Sequence, residues 1–229
     1  MKSVNNPKHC KCGSLGCIHC RELTQTSFAS ETERFLWNEP APALLTAVPL
    51  DGLVPVGGIM EFDLKAFVRR HRVKLARRLP PNVTFFGAVD FSLNLKGNIP
   101  LYWSFHYHAV LNRELTIREL KKLKVSYPIK RKSGIYKPVQ VKPINEDSLN
   151  KTAAYVYKSF FQKRSQYLAK PKSGRNPYLN SCDLPMNKQE RESLDTFLNQ
   201  YKVTDSIILI GVKKLRSSCA MDIIFKATK

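Results

Sequence analysis

The chain has 229 residues, 43% of them hydrophobic, so it is long enough to bury one sizeable core. Its 38 Lys and Arg residues outnumber 18 Asp and Glu residues, and the resulting formal net charge of +20 predicts a polyanionic partner, nucleic acid rather than a membrane surface. No apolar run approaches the ~20 residues needed to span a bilayer and the N-terminus lacks the apolar segment of a secretory signal, which together predict a cytoplasmic protein with no membrane partner.

Four of the six cysteines fall in the first twenty residues, as Cys10-x-Cys12 and Cys17-x-x-Cys20. Two close pairs separated by a short glycine-containing loop can place four thiolates around one tetrahedral zinc ion. A disulfide and a disordered cysteine-rich tail are the alternatives. We expect a small zinc-binding segment over residues 1–24.

Residues 25–60 combine a short helix-like stretch with a proline-rich run, which indicates a connector. From Glu61 to Leu79 apolar residues recur at helical spacing, so a helix is predicted that ends before Pro80. This helix also carries a dense basic run. Such runs are usually solvated helix faces, but in a chain of this charge the run is a plausible phosphate contact. The candidate DNA-binding residues in it are Arg69, Arg70, Arg72, Arg77 and Arg78.

Two strands joined by a glycine-containing turn are predicted between Val83 and Leu111. In both strands apolar residues occupy odd positions and polar residues even ones, so each strand has one apolar and one polar face. A reversal at the turn sets Asp90 opposite His106 and Ala88 opposite His108. Two imidazoles and a carboxylate on one face suit a divalent ion with open coordination positions, whether manganese, magnesium or zinc. The alternative for each histidine is an ordinary surface or core residue.

After the hairpin, a capping box at Thr116 predicts a short helix, and Lys137–Ile144 is predicted to be a strand. The stretch between them is basic and is predicted to be an exposed loop or a hairpin turn. Its candidate DNA-binding residues are Lys130, Arg131 and Lys132.

A longer helix is predicted from Asp147 to Arg164, with Tyr155 and Lys158 three residues apart on its polar flank. Residues 166–185 are rich in Lys, Pro, Gly, Ser and Asn and are predicted to be a loop. A last helix and two closing strands complete the chain.

The order of these elements resembles the HUH endonuclease superfamily, in particular the rolling-circle replication initiators of plasmids and phages. Three elements carry the resemblance: the strand that contains Asp90, the His106-Tyr107-His108 strand, and the Tyr-x-x-Lys helix with Tyr155 and Lys158. Together they span less than half of the chain. Each motif is short, and it is their order and spacing that make the combination specific.

The resemblance implies a central antiparallel sheet with helices packed on one side, in which the histidine pair and a third ligand hold a manganese or magnesium ion. It implies that Tyr155 attacks a DNA phosphodiester, leaving a 5′-phosphotyrosyl bond and a free 3′-OH that can prime synthesis. Lys158 would stabilise the phenolate or the developing charge on the phosphate. On this interpretation residues 61–229 form a nicking domain that acts on single-stranded or origin DNA, with host replication proteins as candidate partners.

Two site assignments stay open in the sequence. Members of the superfamily often use Glu, Gln or His as the third ligand, so Ser92 and Asn94 compete with Asp90. Tyr157 competes with Tyr155 as the nucleophile, but its position on the packing side of the helix favours a core residue.

Three other functions are compatible with the sequence. A transposase or a mobilisation relaxase of the same superfamily would use the same chemistry. A non-catalytic nucleic-acid-binding module would stack bases on Trp103, Phe105 and Tyr107 if these side chains were exposed. A zinc-stabilised structural protein of a mobile element is the third.

Overall fold

The chain folds into an α+β structure, as predicted, and this computed structural model describes residues 12–39, 41–96, 99–129, 137–169, 178–215 and 223–228. The α-helices in these ranges are Ile18–Leu36 (α1), Leu64–Ala76 (α2), Ile117–Lys124 (α3), Leu149–Val156 (α4) and Lys188–Leu198 (α5). The strands in these ranges are Ala43–Ala47 (β1), Leu53–Pro55 (β2), Phe85–Lys96 (β3), Ile99–Leu111 (β4), Val139–Pro143 (β5), Gln162–Ala169 (β6), Tyr178–Leu184 (β7), Ile207–Ile210 (β8), Val212–Lys214 (β9) and Phe225–Ala227 (β10). None of the described helices is long and apolar enough to cross a membrane.

The long strands β3 and β4 form the centre of an eight-stranded sheet with the order β5-β1-β4-β3-β6-β7. They pair antiparallel with Asp90 opposite His106 and Ala88 opposite His108, so the predicted register is confirmed. This register keeps the apolar sets of both strands on one face, which a slip by one residue would undo. Along its outer edge β4 also pairs with β2, and β3 also pairs with β8.

The sheet is mixed rather than purely antiparallel, because β6 runs parallel to β3. The predicted helix from Asp147 to Arg164 is correspondingly too long: α4 ends at Val156, and the chain is extended from Gln162 onward. The second half of β3 has an open edge whose backbone groups need partners, and this pairing outweighs the local helical pattern. The predicted loop over 166–185 likewise contains the end of β6 and all of β7.

Residues 25–60, predicted to be a connector, belong to the sheet and to a helix that packs on it. They include the second half of α1 and both β1 and β2, which pair with β4. The segment Ala43–Ala47 buries every second residue, as a strand with one covered face does. Pro42 and Pro49 flank this strand without interrupting it, so their missing N–H groups do not weaken its pairing.

Helices cover both faces of the sheet, whereas one covered side was predicted. We name the two faces after the residues of β3 and β4 that point to them, the odd-numbered face and the even-numbered face. On the odd-numbered face α2 packs through His71, whose ring centroid lies 5.5 Å from that of Tyr107. On the even-numbered face α1 packs through Phe35, whose ring centroid lies 5.2 Å from that of Phe86. The cover on both sides explains why all but two of the twelve residues of β3 are buried. Any site on the even-numbered face therefore lies beneath α1 and α4.

Candidate active site

Asp90, His106 and His108 meet on the even-numbered face, at the middle of β3 and β4. The Oδ2 atom of Asp90 lies 3.2 Å from His106 Nε2 and 3.3 Å from His108 Nε2. Ligand atoms held ~2.1 Å from one ion lie roughly 3.0–3.4 Å apart at octahedral or tetrahedral angles. The three side chains are therefore spaced as ligands of a single small divalent ion.

The outer nitrogen of each imidazole is held by a neighbouring group. His106 Nδ1 lies 3.2 Å from the carbonyl oxygen of Ser104, to which it donates a hydrogen bond, and His108 Nδ1 lies 2.9 Å from Oγ1 of Thr46 on β1. Both Nε2 atoms are buried and lack a hydrogen bond of good geometry, although each faces the Asp90 carboxylate. In the tautomer with Nδ1 protonated, each Nε2 turns a lone pair toward the Asp90 carboxylate, the arrangement in which all three groups can coordinate one cation.

Burial and neighbouring charges hold two of these groups in the protonation states that a metal ligand needs. Burial lowers the pKa of His108 to about 4, so its imidazole is neutral near pH 7. Burial alone would raise the pKa of Asp90, but the charges of neighbouring groups, Lys158 among them, outweigh this effect and hold the pKa well below its ordinary value. Asp90 is therefore a carboxylate.

Lys158 faces the same cluster, although it lies beyond the end of α4 and not on the helix. Its Nζ atom lies 2.5 Å from Asp90 Oδ2 and 4.6 Å from the centroid of the Tyr155 ring. The side chain of Lys158 is largely buried. One ammonium group thus connects the carboxylate of the cluster to the phenol of Tyr155.

The two candidate tyrosines occupy different environments. Tyr155 is 42% exposed, and its ring centroid lies 4.9 Å from that of His108. Tyr157 is buried, donates its hydroxyl proton to the carbonyl of Val203 at 3.2 Å, and has a pKa that burial raises above its ordinary value. Of the two hydroxyls, the one that solvent can reach is therefore that of Tyr155, beside the Asp90 cluster.

The competing third ligands, Ser92 and Asn94, hydrogen-bond to each other. The side-chain amide of Asn94 donates hydrogen bonds to the carbonyl and the hydroxyl of Ser92, both at 3.2 Å. Among the described residues, the acidic group that shares a potential metal site with His106 and His108 is Asp90.

Three of the four N-terminal cysteines also come together. The sulfur atoms of Cys12, Cys17 and Cys20 lie within 4.8 Å of one another, a group that could hold a metal ion. Burial raises the pKa of Cys20 to about 12, so its thiol stays protonated at neutral pH unless a bound metal ion displaces the proton. Cys10, the predicted fourth ligand, lies outside the described residues.

The cysteine loop is fixed to the chain that follows α5. The amide of Leu15 donates to the carbonyl of Tyr201 at 2.8 Å, and the amide of Val203 donates to the carbonyl of Gly13 at 2.9 Å. The same Val203 carbonyl accepts the hydroxyl proton of Tyr157. A metal ion in the loop would therefore stabilise the contact between Val203 and Tyr157, the residue that follows α4.

The predicted DNA-binding arginines of α2 are all exposed, but they lie on the odd-numbered side of the sheet, away from the Asp90 cluster. The other predicted DNA contacts, Lys130, Arg131 and Lys132, lie outside the described residues. Thr46 is a site residue that the sequence analysis missed, because β1 was assigned to a connector. The sequence of β1, Ala-Leu-Leu-Thr-Ala, has no alternation of apolar and polar residues that would have identified a strand.

We compared the chain with known protein families, curated proteins and solved structures. No family model, no curated protein and no solved structure matches the chain. Support for a function therefore comes from the residues of the site itself.

Proposed function

We propose that this protein is a metal-dependent enzyme that nicks and rejoins single-stranded DNA through Tyr155, and that it initiates rolling-circle replication in the cytoplasm. The observation that carries the proposal is that the exposed Tyr155 lies beside a buried cluster of one carboxylate and two imidazoles. Its ring centroid is 4.9 Å from that of His108. Phosphoryl transfer needs a positioned nucleophile and neutralised charge, and this arrangement offers both.

The cluster fits a manganese or magnesium ion bound by Asp90, His106 and His108, because one carboxylate and two imidazoles leave coordination positions open for a phosphate. A bound ion would neutralise charge on the scissile phosphate and fix its orientation. Thr46 and Ser104 hold the two imidazoles, so the ligands are oriented before any ion arrives.

In the proposed step the phenol oxygen of Tyr155 forms a bond to phosphorus and its proton passes to solvent. The bond from phosphorus to the 3′ oxygen breaks, and that oxygen leaves as a hydroxyl after it takes a proton. A phenol is a poor nucleophile until its anion is stabilised, and in this proposal the ammonium of Lys158, 4.6 Å from the centroid of the Tyr155 ring, supplies the stabilising charge. Because the phosphotyrosyl bond conserves the energy of the cleaved linkage, the reverse reaction rejoins the strand without a nucleotide cofactor.

DNA as the substrate is supported by the formal net charge of +20. A transposase or a relaxase of the HUH superfamily would use the same residues and remains the second candidate. The base-stacking module has less support, because Trp103, Phe105 and Tyr107 are all buried and offer no stacking surface.

We propose in addition that Cys12, Cys17 and Cys20, with Cys10, bind one structural zinc ion. Thiolates are the ligands that structural zinc prefers, and three sulfur atoms already lie within 4.8 Å of one another. In this role the zinc ion takes no part in DNA cleavage and holds the N-terminal loop against the chain after α5.

A nicking assay tests the proposed function. A labelled single-stranded oligonucleotide library is incubated with the protein and manganese, then with EDTA, and protein–DNA adducts are separated on denaturing gels. We expect an adduct that requires metal, persists in Tyr157→Phe and is lost in Tyr155→Phe. Tyr167→Phe, at an equally exposed tyrosine on β6, is the matched control. Adduct formation that survives in Tyr155→Phe would overturn the proposal.

A further inference from the structure

We infer that α2 and the adjoining β8–β9 segment form a second DNA-binding surface, which holds duplex DNA on the side of the sheet opposite Tyr155. We call it the α2 surface and define it by the exposed cations of these elements and of the two residues that directly follow α2. They are Lys65, Arg69, Arg70, Arg72, Arg77, Arg78 and Lys213. The inference takes from the proposed function only that the polyanion is DNA.

Two consecutive residues of β4 establish that the surfaces are opposed. Tyr107 packs against His71 of α2, with ring centroids 5.5 Å apart, and His108 packs against Tyr155, with ring centroids 4.9 Å apart. Successive side chains of a strand point to opposite faces of the sheet. A DNA segment on the α2 surface is therefore not the segment that meets Tyr155.

The charge of the α2 surface is largely unneutralised. Of its cations, Arg70 lies 3.2 Å from Asp51 and Lys65 lies 3.5 Å from Asp205. Within the described ranges no acidic side chain pairs with the remaining arginines of the surface. They are Arg69, Arg72, Arg77 and Arg78. Exposed cations without acidic partners are available to replace the counterions of a phosphate backbone.

The cations line two grooves, one on each flank of α2. A groove of about 460 Å³ separates α2 from β8–β9, with Arg69, Arg72 and Lys213 in its lining. A groove of about 610 Å³ lies on the other flank, with Arg70 and Arg77 in its lining. The 13 residues of α2 extend ~20 Å, a length over which a DNA duplex carries roughly 12 phosphate charges. The dimensions match one face of a duplex.

The chemistry of this surface favours duplex over single-stranded DNA. Proteins that bind single strands stack the bases on exposed aromatic rings. Among the described residues lining the two grooves there is no aromatic side chain. The nearby ring of Tyr127 is buried, with Lys74 Nζ 5.2 Å from its centroid. A surface of cations without stacking rings reads phosphates alone, and these are presented by a duplex whose bases are already paired.

The test measures binding to a duplex of about 30 base pairs of random sequence, by fluorescence anisotropy in EDTA, from about 50 to 200 mM salt. EDTA suppresses metal-dependent nicking, so the result is independent of the proposed function. The variant carries Arg69→Gln, Arg72→Gln and Arg77→Gln. The matched control removes the same charge from exposed lysines elsewhere, with Lys142→Gln, Lys188→Gln and Lys226→Gln.

We expect the arginine variant to bind the duplex at least tenfold more weakly than wild type, and to lower the slope of log K against log salt by about 2 to 3. The control is expected to keep the wild-type slope. Circular dichroism confirms that both variants are folded. The inference is overturned if both variants weaken duplex binding equally or if neither does. A protein that binds duplex in this way but never nicks would retain the α2 surface and lose the proposed function.

Discussion

The ammonium of Lys158 lies 2.5 Å from Asp90 Oδ2, the same oxygen atom that faces the Nε2 atoms of both His106 and His108. A cation of the protein's own thus neutralises the carboxylate that a metal ion would use. A divalent ion bound at this site would compete with Lys158 for this atom, and we expect it to release the ammonium toward Tyr155 and a bound phosphate.

The competition predicts opposite effects of Lys158→Met on metal binding and on nicking. Removing the ammonium takes away a like charge beside the ion, so we expect manganese to bind about tenfold more tightly, a change of ~1.4 kcal/mol. Nicking should fall, because the phenolate and phosphate lose a stabilising charge. Isothermal titration with manganese and the nicking assay measure the two effects. Weaker manganese binding in the variant would show that Lys158 supports the site and does not compete with the ion.

Thr46 should matter to the metal although it is not a ligand. Its hydroxyl lies 2.9 Å from His108 Nδ1 and orients the ring. We expect Thr46→Ala to lower manganese affinity by about 10- to 100-fold, the usual cost of losing such a supporting group. Thr26→Ala, at an exposed position on α1, is the control. Unchanged affinity in Thr46→Ala would mean that Nδ1 of His108 needs no partner to fix the ring.

The cysteine group predicts zinc in the purified protein. Cys20→Ser removes a buried sulfur from the group, so we expect it to abolish zinc binding and to lower the melting temperature. Cys182→Ser, at an exposed position on β7, should leave both unchanged. Metal content is measured by elemental analysis and stability by calorimetry. Equal zinc content in both variants would exclude Cys20 as a ligand.

Asp51 predicts a loss of stability in acid. Burial would raise the pKa of Asp51, but hydrogen bonds and charge from His71 and Arg70 lower it to about 2. Because the folded pKa lies below the unfolded value, the carboxylate stabilises the fold above pH ~4 and loses this effect as the pH falls from about 4 to 2. We expect Asp51→Asn to cost about 1 kcal/mol at neutral pH, since Asp51 is partly exposed and screened by solvent.

Urea unfolding at neutral and acidic pH measures this difference. The free energies of unfolding of wild type and Asp51→Asn should converge near pH 2. Glu192→Gln, at a largely exposed acid on α5, is the control and should show no such convergence. A difference between wild type and Asp51→Asn that persists undiminished in acid would assign the effect to packing and not to charge.

Alternation and the glycine-containing turn together predicted the central hairpin and its register. Alternation excludes every pairing that sets an even position opposite an odd one, and the position of the turn then places Asp90 opposite His106, as the structure has it. The capping box at Thr116 also marked its helix correctly, since α3 begins at the next residue. These features are local, and local sequence determines them.

The errors in prediction arose where distant segments decide the structure. The helical pattern after Val156 was overridden by the open edge of β3, which accepts Gln162–Ala169 as a strand. The proline-rich stretch concealed β1, and with it the contact from Thr46 to His108. Which face of the sheet α2 covers depends on packing, and the sequence of its basic run does not predict it. Pairing partners at long range in sequence are not encoded in any one segment.

The most direct test of the central claim is to locate the covalent bond. After reaction with manganese and single-stranded DNA, the protein is digested with nuclease and trypsin, and the peptide Thr152–Lys158 is sequenced by mass spectrometry, because it contains both Tyr155 and Tyr157. We predict a nucleotide linked through its 5′ phosphate to Tyr155. A nucleotide on Tyr157, or cleaved DNA with no modified tyrosine, would contradict the assignment of Tyr155 as the nucleophile.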